Sequence, residues 1–281
     1  MNTNHPYVFP PVSLLEPNDS AQDESDSIVR IRELIDTELF RKETDPLAIP
    51  VGVDSAEKPV FIDLAKLPHL LIAGRSGAGK SMWLYSAITG LLYRNSPDRV
   101  KLLLIDPKRT AFDDYKNLPH LAIPVAQRWQ EVVDALNWAV DEMKCRLELS
   151  DKESLPHIVV IIDEIADLIR IAPDDAEKAI CRLAQRGHTV GMHLIIATQC
   201  PVPDIITEAI KAAIPSHVAF SVASEEDSCH VLETTGAETL NGQGDMLFAP
   251  AGAQKPIRLQ GAYVSGMETE RIVNFINEQN G

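Results

Sequence analysis

The sequence predicts an α/β fold, a mostly parallel central sheet flanked by helices. From Pro46 onward, short apolar runs of β type alternate with longer stretches of helical period, which is the order of strands joined by crossover helices. One of these runs, PHLLIAGRSGAGKSMWLYSAITG from Pro68 to Gly90, passes from an apolar strand through a glycine-rich loop into a helix. With 281 residues and 45% hydrophobic content there is core enough for one large domain but not for two.

Residues 1–45 open with Pro10 and Pro11 and continue into EPNDSAQDESDS, an acidic run too poor in apolar residues to pack, so a largely flexible segment is expected. Within it, SIVRIRELIDTELFRK places Ile28, Ile31, Ile35 and Leu39 at helical spacing, which predicts a short amphipathic helix able to dock on the body or on a neighbour. Residues 46–281 form the main domain. Its expected strands are HLLIAG, VKLLLID, HIVVIID, HLIIATQ, SHVAFSV, DMLF and IRLQGAYV. Between the second and third, AQRWQEVVDALNWAVDEMKCRLEL carries Trp129, Val132, Val133, Leu136, Val140, Met143 and Leu147, the stripe of one long core-facing helix. No internal repeat is visible.

Composition excludes several classes. A net charge of −15 argues against coating nucleic acid with the whole surface, while leaving room for a local basic groove. Cys145, Cys181, Cys200 and Cys229 are widely spaced without CxxC or zinc spacing, so free thiols are expected. No run approaches the roughly eighteen apolar residues of a membrane span, and MNTNHPYVFPPVSLLEP lacks the order of a secretory signal. A cytoplasmic location is the expectation.

Gly74-Arg75-Ser76-Gly77-Ala78-Gly79-Lys80-Ser81 fits G-x-x-x-x-G-K-[ST], with a strand before it and a helix after it. In such a loop glycines let the backbone wrap phosphate oxygens, and the N–H groups at the helix start point inward. Lys80 is then placed to reach the β- and γ-phosphates, and the Ser81 hydroxyl to ligate Mg²⁺. HIVVIIDEIADL delivers Asp163 and Glu164 to the C-terminal end of a buried strand, the edge where open parallel sheets bind ligands. Asp163 is the expected partner of the Mg²⁺ shell and Glu164 the general base for an attacking water. An acidic pair after a strand is also a common helix N-cap, here for IADLIR. IIATQ brings Thr198 and Gln199 to the same edge, where a polar side chain can sense the γ-phosphate. No other metal site is indicated.

These residues, with LLLIDPKRTAFDDYKNLPHL, RLAQRGHTVGMHLIIATQCPVPDIITEAIKAAIPSHVAFSV, GAETLNGQGDMLF and PIRLQGAYVS, resemble the FtsK/SpoIIIE family of DNA translocase motor domains. The likeness spans about residues 46 to 276. It implies a RecA-like P-loop ATPase using ATP and Mg²⁺, assembled as a homo-oligomeric, hexameric ring that moves double-stranded DNA, in chromosome partition or DNA transfer. FPPVSLLEP resembles the segment that precedes a DNA-tracking domain in the family, but here the chain passes almost directly to RELIDTELF, so a reduced form is expected, without membrane, DNA-tracking or winged-helix modules.

Four positions depart from the family. His188 stands where relatives carry an arginine that reaches a neighbour's γ-phosphate; Cys200, His217 and Cys229 also replace arginines, and Cys200 and Cys229 occupy places of DNA-backbone contact in the family. A trans arginine is worth roughly 10³ to 10⁵ in rate in related chemistry, and histidine cannot form the guanidinium fork. Arg186 or Arg182 is a possible substitute across the interface, and Lys108, Arg109 and Lys211 are possible DNA contacts. In the plainer reading, Arg182 and Arg186 are a solvated helix face, and Lys108-Arg109 complements Asp113 and Asp114. Two functions follow: an ATP-driven DNA translocase, or an ATP-binding regulatory or assembly module with weakened hydrolysis and DNA contact.

Overall fold

The computed structural model describes residues 6–17, 28–42, 45–150 and 154–279. In chain order, β1 (Val29–Arg30), α1 (Ile31–Ile35) and α2 (Glu38–Lys42) lead to β2 (Ala48–Val53), β3 (Pro59–Asp63) and β4 (His69–Ala73). There follow α3 (Lys80–Arg94), β5 (Val100–Ile105), α4 (Trp129–Glu148), β6 (His157–Ile162), α5 (Ile165–Ile171), α6 (Pro173–Arg186) and β7 (Met192–Thr198). The chain ends with α7 (Glu208–Ala213), β8 (His217–Phe220), α8 (Glu225–Leu232), β9 (Asp245–Ala249), β10 (Ile257–Tyr263) and α9 (Gly266–Glu278).

The sheet runs β3-β2-β10-β9-β8-β4-β7-β6-β5, with β1 added along β10. Strands β8, β4, β7, β6 and β5 are mutually parallel, whereas β9, β10, β2 and β3 continue the sheet antiparallel. The α/β expectation therefore describes the half that carries the glycine loop, and the other half is an antiparallel extension. Successive side chains of a strand point to opposite faces, and β4 shows it: Leu70 and Ile72 join the core under α3, while Leu71 and Ala73 join the core under α4 to α8. Helices on both faces are why the parallel strands are apolar throughout.

All seven expected strands form. Three more were not anticipated: β1 in the N-terminal segment, and β2 and β3. Pro50, Gly52 and Pro59 break the strand pattern there, and the ladder shifts register between Pro50 and Gly52. A Cβ on Gly52 would lie 2.0 Å from the Gln260 carbonyl oxygen, and one on Gly90 of α3 would lie 2.2 Å from Pro50 Cδ. These unpromising residues are what let β2 approach its neighbours.

The N-terminal segment behaves differently from its expectation. The acidic run at residues 18–27 lies outside the described residues, but 6–17 and 28–42 pack on the body. Leu15, Ile31, Leu34 and Ile35 are fully buried, Tyr93 donates its hydroxyl hydrogen to the Pro11 carbonyl, and Glu268 accepts from the Glu16 amide. The single amphipathic helix is replaced by β1 and two short helices, because Thr37 turns the chain by donating to the Leu34 carbonyl and accepting from the Phe40 amide. Phe40 is buried in place of Leu39, which is 63% exposed. Of the α4 stripe, Val132, Leu136, Val140 and Met143 are buried, Val133 and Leu147 are half-buried, and Trp129 is exposed.

Candidate nucleotide site

Strands β4, β7 and β6 are adjacent and parallel, so the segments leaving them meet at one rim. The loop 74–79 leaves β4 pinned on two sides: Gly74 donates its amide hydrogen to the Thr198 carbonyl at 3.3 Å, and Arg75 to the Ser221 carbonyl at 2.8 Å. Gly77 and Gly79 adopt φ of +75° and +119°, a left-handed region that only glycine enters freely. A Cβ on Gly79 would also sit 2.7 Å from the Gly244 amide nitrogen. That amide donates to the Ala78 carbonyl at 3.0 Å, so the NGQG turn before β9 braces the loop from outside.

Lys80 opens α3, is 5% exposed, and donates to the carbonyls of Gly74 at 2.5 Å and Arg75 at 2.9 Å. Burial lowers its pKa to about 8, although the Glu164 and Asp163 charges oppose the shift. The neighbouring Ser81 hydroxyl donates to Asp163 Oδ1 at 3.4 Å. Burial, with the nearby charges of Asp106 and Glu164, pushes the Asp163 carboxyl up to about 6. The two halves identified in the sequence, Lys80-Ser81 and Asp163-Glu164, are thus brought together across β7.

Glu164 is almost fully buried and caps α5, accepting from the Ala166 amide at 3.2 Å. It also accepts from the Thr198 hydroxyl at 2.8 Å, the Gln199 amide at 3.1 Å and Lys108 Nζ at 3.0 Å. One carboxylate thus caps α5 and gathers two donors from the end of β7, Thr198 and the following Gln199. Gln199 reaches Glu164 through its backbone.

The remaining expectations are scattered. Lys108 faces Glu164 rather than Asp113, whose carboxylate is held low by Lys116 and Gln127. Arg109 is exposed in a left-handed turn after β5. Lys211 lies 4.0 Å from Glu208 and 3.9 Å from Glu233. Arg186 and His188 stand just before β7, at the rim opposite the loop, and the His188 ring meets the His69 ring edge-on at 6.0 Å. Within one chain neither is brought to Lys80. His217 is buried against the Ile214 carbonyl at 2.7 Å, Cys229 is exposed on α8, and Cys200 Sγ accepts from Arg170 Nη2 at 3.4 Å.

One site residue escaped the sequence reading. Asp106 ends β5, is fully buried, and accepts from the amides of Thr110, Ala111 and Phe112. It shapes the loop that carries Lys108 to Glu164. The signal was present, since LLLID repeats the apolar-run-then-Asp pattern of VVIID.

The residues suit a magnesium nucleotide. Ser81 Oγ and Asp163 Oδ1, 3.4 Å apart, are hard oxygen donors near the spacing of neighbouring ligands on one Mg²⁺, whose metal–oxygen distances are about 2.1 Å. Among the described residues no group of three or more His, Cys, Asp or Glu could hold a metal by itself. Among the same residues no helix is long and apolar enough to cross a membrane.

Comparison with known proteins agrees with this geometry. The chain is 48% identical over 265 residues to the DNA translocase FtsK of Caldanaerobacter subterraneus subsp. tengcongensis, an alignment covering 89% of this chain and 37% of that protein. It is 44% identical over 271 residues to the DNA translocase SftA of Bacillus subtilis, covering 90% and 28%. It therefore spans about a third of the length of these relatives. Among solved structures, the cytoplasmic domain of the Thermomonospora curvata type VII secretion ATPase EccC superposes with a TM-score of 0.76 at 21% identity, covering 89% of this chain and 34% of that one. That likeness concerns the fold. The pCW3 conjugation coupling protein TcpA, solved with ATPgS, superposes with a TM-score of 0.74 at 25% identity over 87% of this chain and 73% of that one. The family model described as FtsK/SpoIIIE matches residues 30–153 and 148–203. The chain belongs to the FtsK/SpoIIIE family.

Proposed function

We propose that this chain is the ATP-hydrolysing motor of a double-stranded DNA translocase, working in the cytoplasm as a homo-oligomeric, hexameric ring. The observation that carries the reading is the meeting of Lys80 and Ser81 with Asp163 at one rim of the parallel strands. The glycine loop and Lys80 hold the triphosphate, Ser81 and Asp163 hold Mg²⁺, and Glu164 accepts the proton of the attacking water. Bound Mg²⁺ would neutralise charge building on the β- and γ-phosphate oxygens. Gln199, joined to Glu164 through its amide, links the state of the site to the segment that follows β7. Arg186 or His188 would act on a neighbouring subunit. The names of the relatives support the DNA substrate.

A second reading is an ATP-binding regulatory or assembly module. His188, where the resemblance places a trans arginine, favours it. Turnover by the purified chain, with and without duplex DNA across a salt series and with oligomer mass recorded, separates the two. DNA-stimulated hydrolysis lost in Lys80→Ala supports the motor; tight ATP binding with background turnover supports the module.

A further inference from the structure

The glycine loop carries a guanidinium that no part of the fold uses. Arg75, the second residue of the loop, is exposed, and among the described residues its side chain forms no ion pair or hydrogen bond. Its backbone, by contrast, is fixed. The Arg75 amide donates to the Ser221 carbonyl at 2.8 Å, and the Arg75 carbonyl accepts from the Ala78 amide at 3.3 Å and from Lys80 Nζ at 2.9 Å. The lysine of such a loop reaches the β- and γ-phosphates, so the contact of its ammonium with the Arg75 carbonyl sets Arg75 at the terminal-phosphate end of the loop.

The side chain has room to turn. Arg75, Ser76 and Gly77 are all exposed along the crest of the loop, and a Cβ on Gly77 would meet nothing within 4 Å. Arg75 Nη2 lies 3.9 Å from where a Cβ on Gly242 would stand, out over the turn before β9. An exposed side chain without a partner exchanges rotamers in picoseconds to nanoseconds, and a phosphate offers a guanidinium two parallel N–H···O bonds. The charges around the site leave such a group a use. Asp163 and Glu164 face two ammonium groups, Lys80 and Lys108, and Asp106 adds a further carboxylate. These protein charges do not offset the roughly two negative charges that remain on a magnesium triphosphate. Arg186 and His188 stand at the opposite rim, and Arg170 is engaged by Asp167 and Cys200.

We propose that Arg75 is a catalytic residue acting in cis, swinging from the turn to donate its guanidinium hydrogens to the γ-phosphate of the nucleotide held in its own loop. The inference rests on the motor reading of the site. In the step it serves, the water oxygen bonds to the γ-phosphorus while the bond from that phosphorus to the β–γ bridging oxygen breaks. The electron pair of the broken bond leaves on ADP, and the water proton passes to Glu164. Negative charge grows on the bridging oxygen during this step, where a guanidinium fork bonds more strongly than in the ground state. An interaction that strengthens only in the transition state raises kcat and leaves substrate affinity nearly unchanged. The free side chain on a fixed backbone suits that task, since it can close on the phosphate without moving the loop.

The test is ATP turnover by the purified full chain with duplex DNA, beside calorimetric titration with a non-hydrolysable ATP analogue and Mg²⁺. Arg75→Ala is expected to lower kcat by at least about a hundredfold, with analogue affinity within about threefold of the unmodified protein. Millimolar methylguanidinium is expected to raise turnover of Arg75→Ala at least about tenfold and to leave the unmodified protein unchanged. Mixing Arg75→Ala with Lys80→Ala chains is expected to recover nothing, because a cis guanidinium cannot serve its neighbour. Arg75→Ala turnover within about threefold of the unmodified protein overturns the proposal, as does a fall matched by lost analogue affinity or one that methylguanidinium does not relieve. Recovery on mixing overturns the cis assignment. If the unmodified protein hydrolyses no ATP, the motor reading falls first and the role of Arg75 with it.

Discussion

Lys108 Nζ lies 3.0 Å from Glu164 Oε2, joining the loop after β5 to the carboxylate at the head of α5. The carboxylate is buried and the lysine only partly so. A lysine held this way is expected to support Glu164. Lys108→Met is expected to lower basal turnover and to cost about 2 kcal/mol in urea denaturation, since it leaves a buried charge with one partner fewer. It should leave the salt dependence of duplex binding unchanged.

Arg170 is the opposite case. Its guanidinium is exposed and donates to Cys200 Sγ, so a positive charge stands beside the position where the resemblance expects an arginine. If Arg170 meets a DNA phosphate, Arg170→Ala is expected to reduce the slope of log affinity against log salt by about one. Fluorescence anisotropy of labelled duplex across a salt series measures it, and basal ATP turnover should stay unchanged.

Asp163 illustrates a site held against its own stability. Its carboxyl is pushed up to about 6 by burial and by Asp106 and Glu164, so the folded protein resists ionising it, and above that pH the charged form carries a penalty. Asp163→Asn is expected to abolish turnover while stabilising the nucleotide-free protein at pH 7.5, by an amount on the order of 3 kcal/mol. Thermal unfolding reads this as a rise of several degrees.

At the opposite rim, the buried His69 and His193 and the half-buried His157 form a row, with ring centroids 6.5 Å and 5.6 Å apart along it. Burial lowers His69 to about 4 and His193 to about 3, and the neighbouring imidazoles add to both shifts. Burial also lowers His157, helped by Arg146 and Arg99 and opposed by Asp63. An unfolded histidine takes up its proton near pH 6.5, so below that pH the unfolded chain binds more protons and stability falls as the pH drops toward 4. Asp163 works in the other direction over the same window, but two strongly shifted histidines outweigh one carboxylate. Between pH 6.5 and 4, His193→Asn is expected to lose less stability than the unmodified protein, by an amount on the order of 3 kcal/mol. Denaturation midpoints at the two pH values measure it.

The half of the fold with strong periodicity was legible in the sequence, and so was the meeting of Lys80 and Ser81 with Asp163 and Glu164 at one rim. Lys80, Ser81, Asp163 and Glu164 are read from short motifs whose strand context fixes their rim. What escaped depends on distant packing. Strands β2 and β3 carry prolines and a glycine that look like breakers, and the close approach of Gly52 to the Gln260 carbonyl and of Gly90 to Pro50 is visible only in the fold. The single N-terminal helix fails because tertiary burial of Phe40 outweighs the stripe ending at Leu39. Lys108 was assigned to DNA or to the nearby Asp113 and Asp114 because its partner Glu164 is 56 residues away.

The central claim is that Lys80 and the pair Asp163-Glu164 serve one magnesium triphosphate. Its most direct measurement is ATP turnover by the purified chain with duplex DNA at low salt, beside Lys80→Ala and Asp163→Asn. The account expects DNA-stimulated hydrolysis that falls by at least about a hundredfold in either variant. Turnover that survives both substitutions, or no ATP turnover in the unmodified protein under any condition, contradicts it.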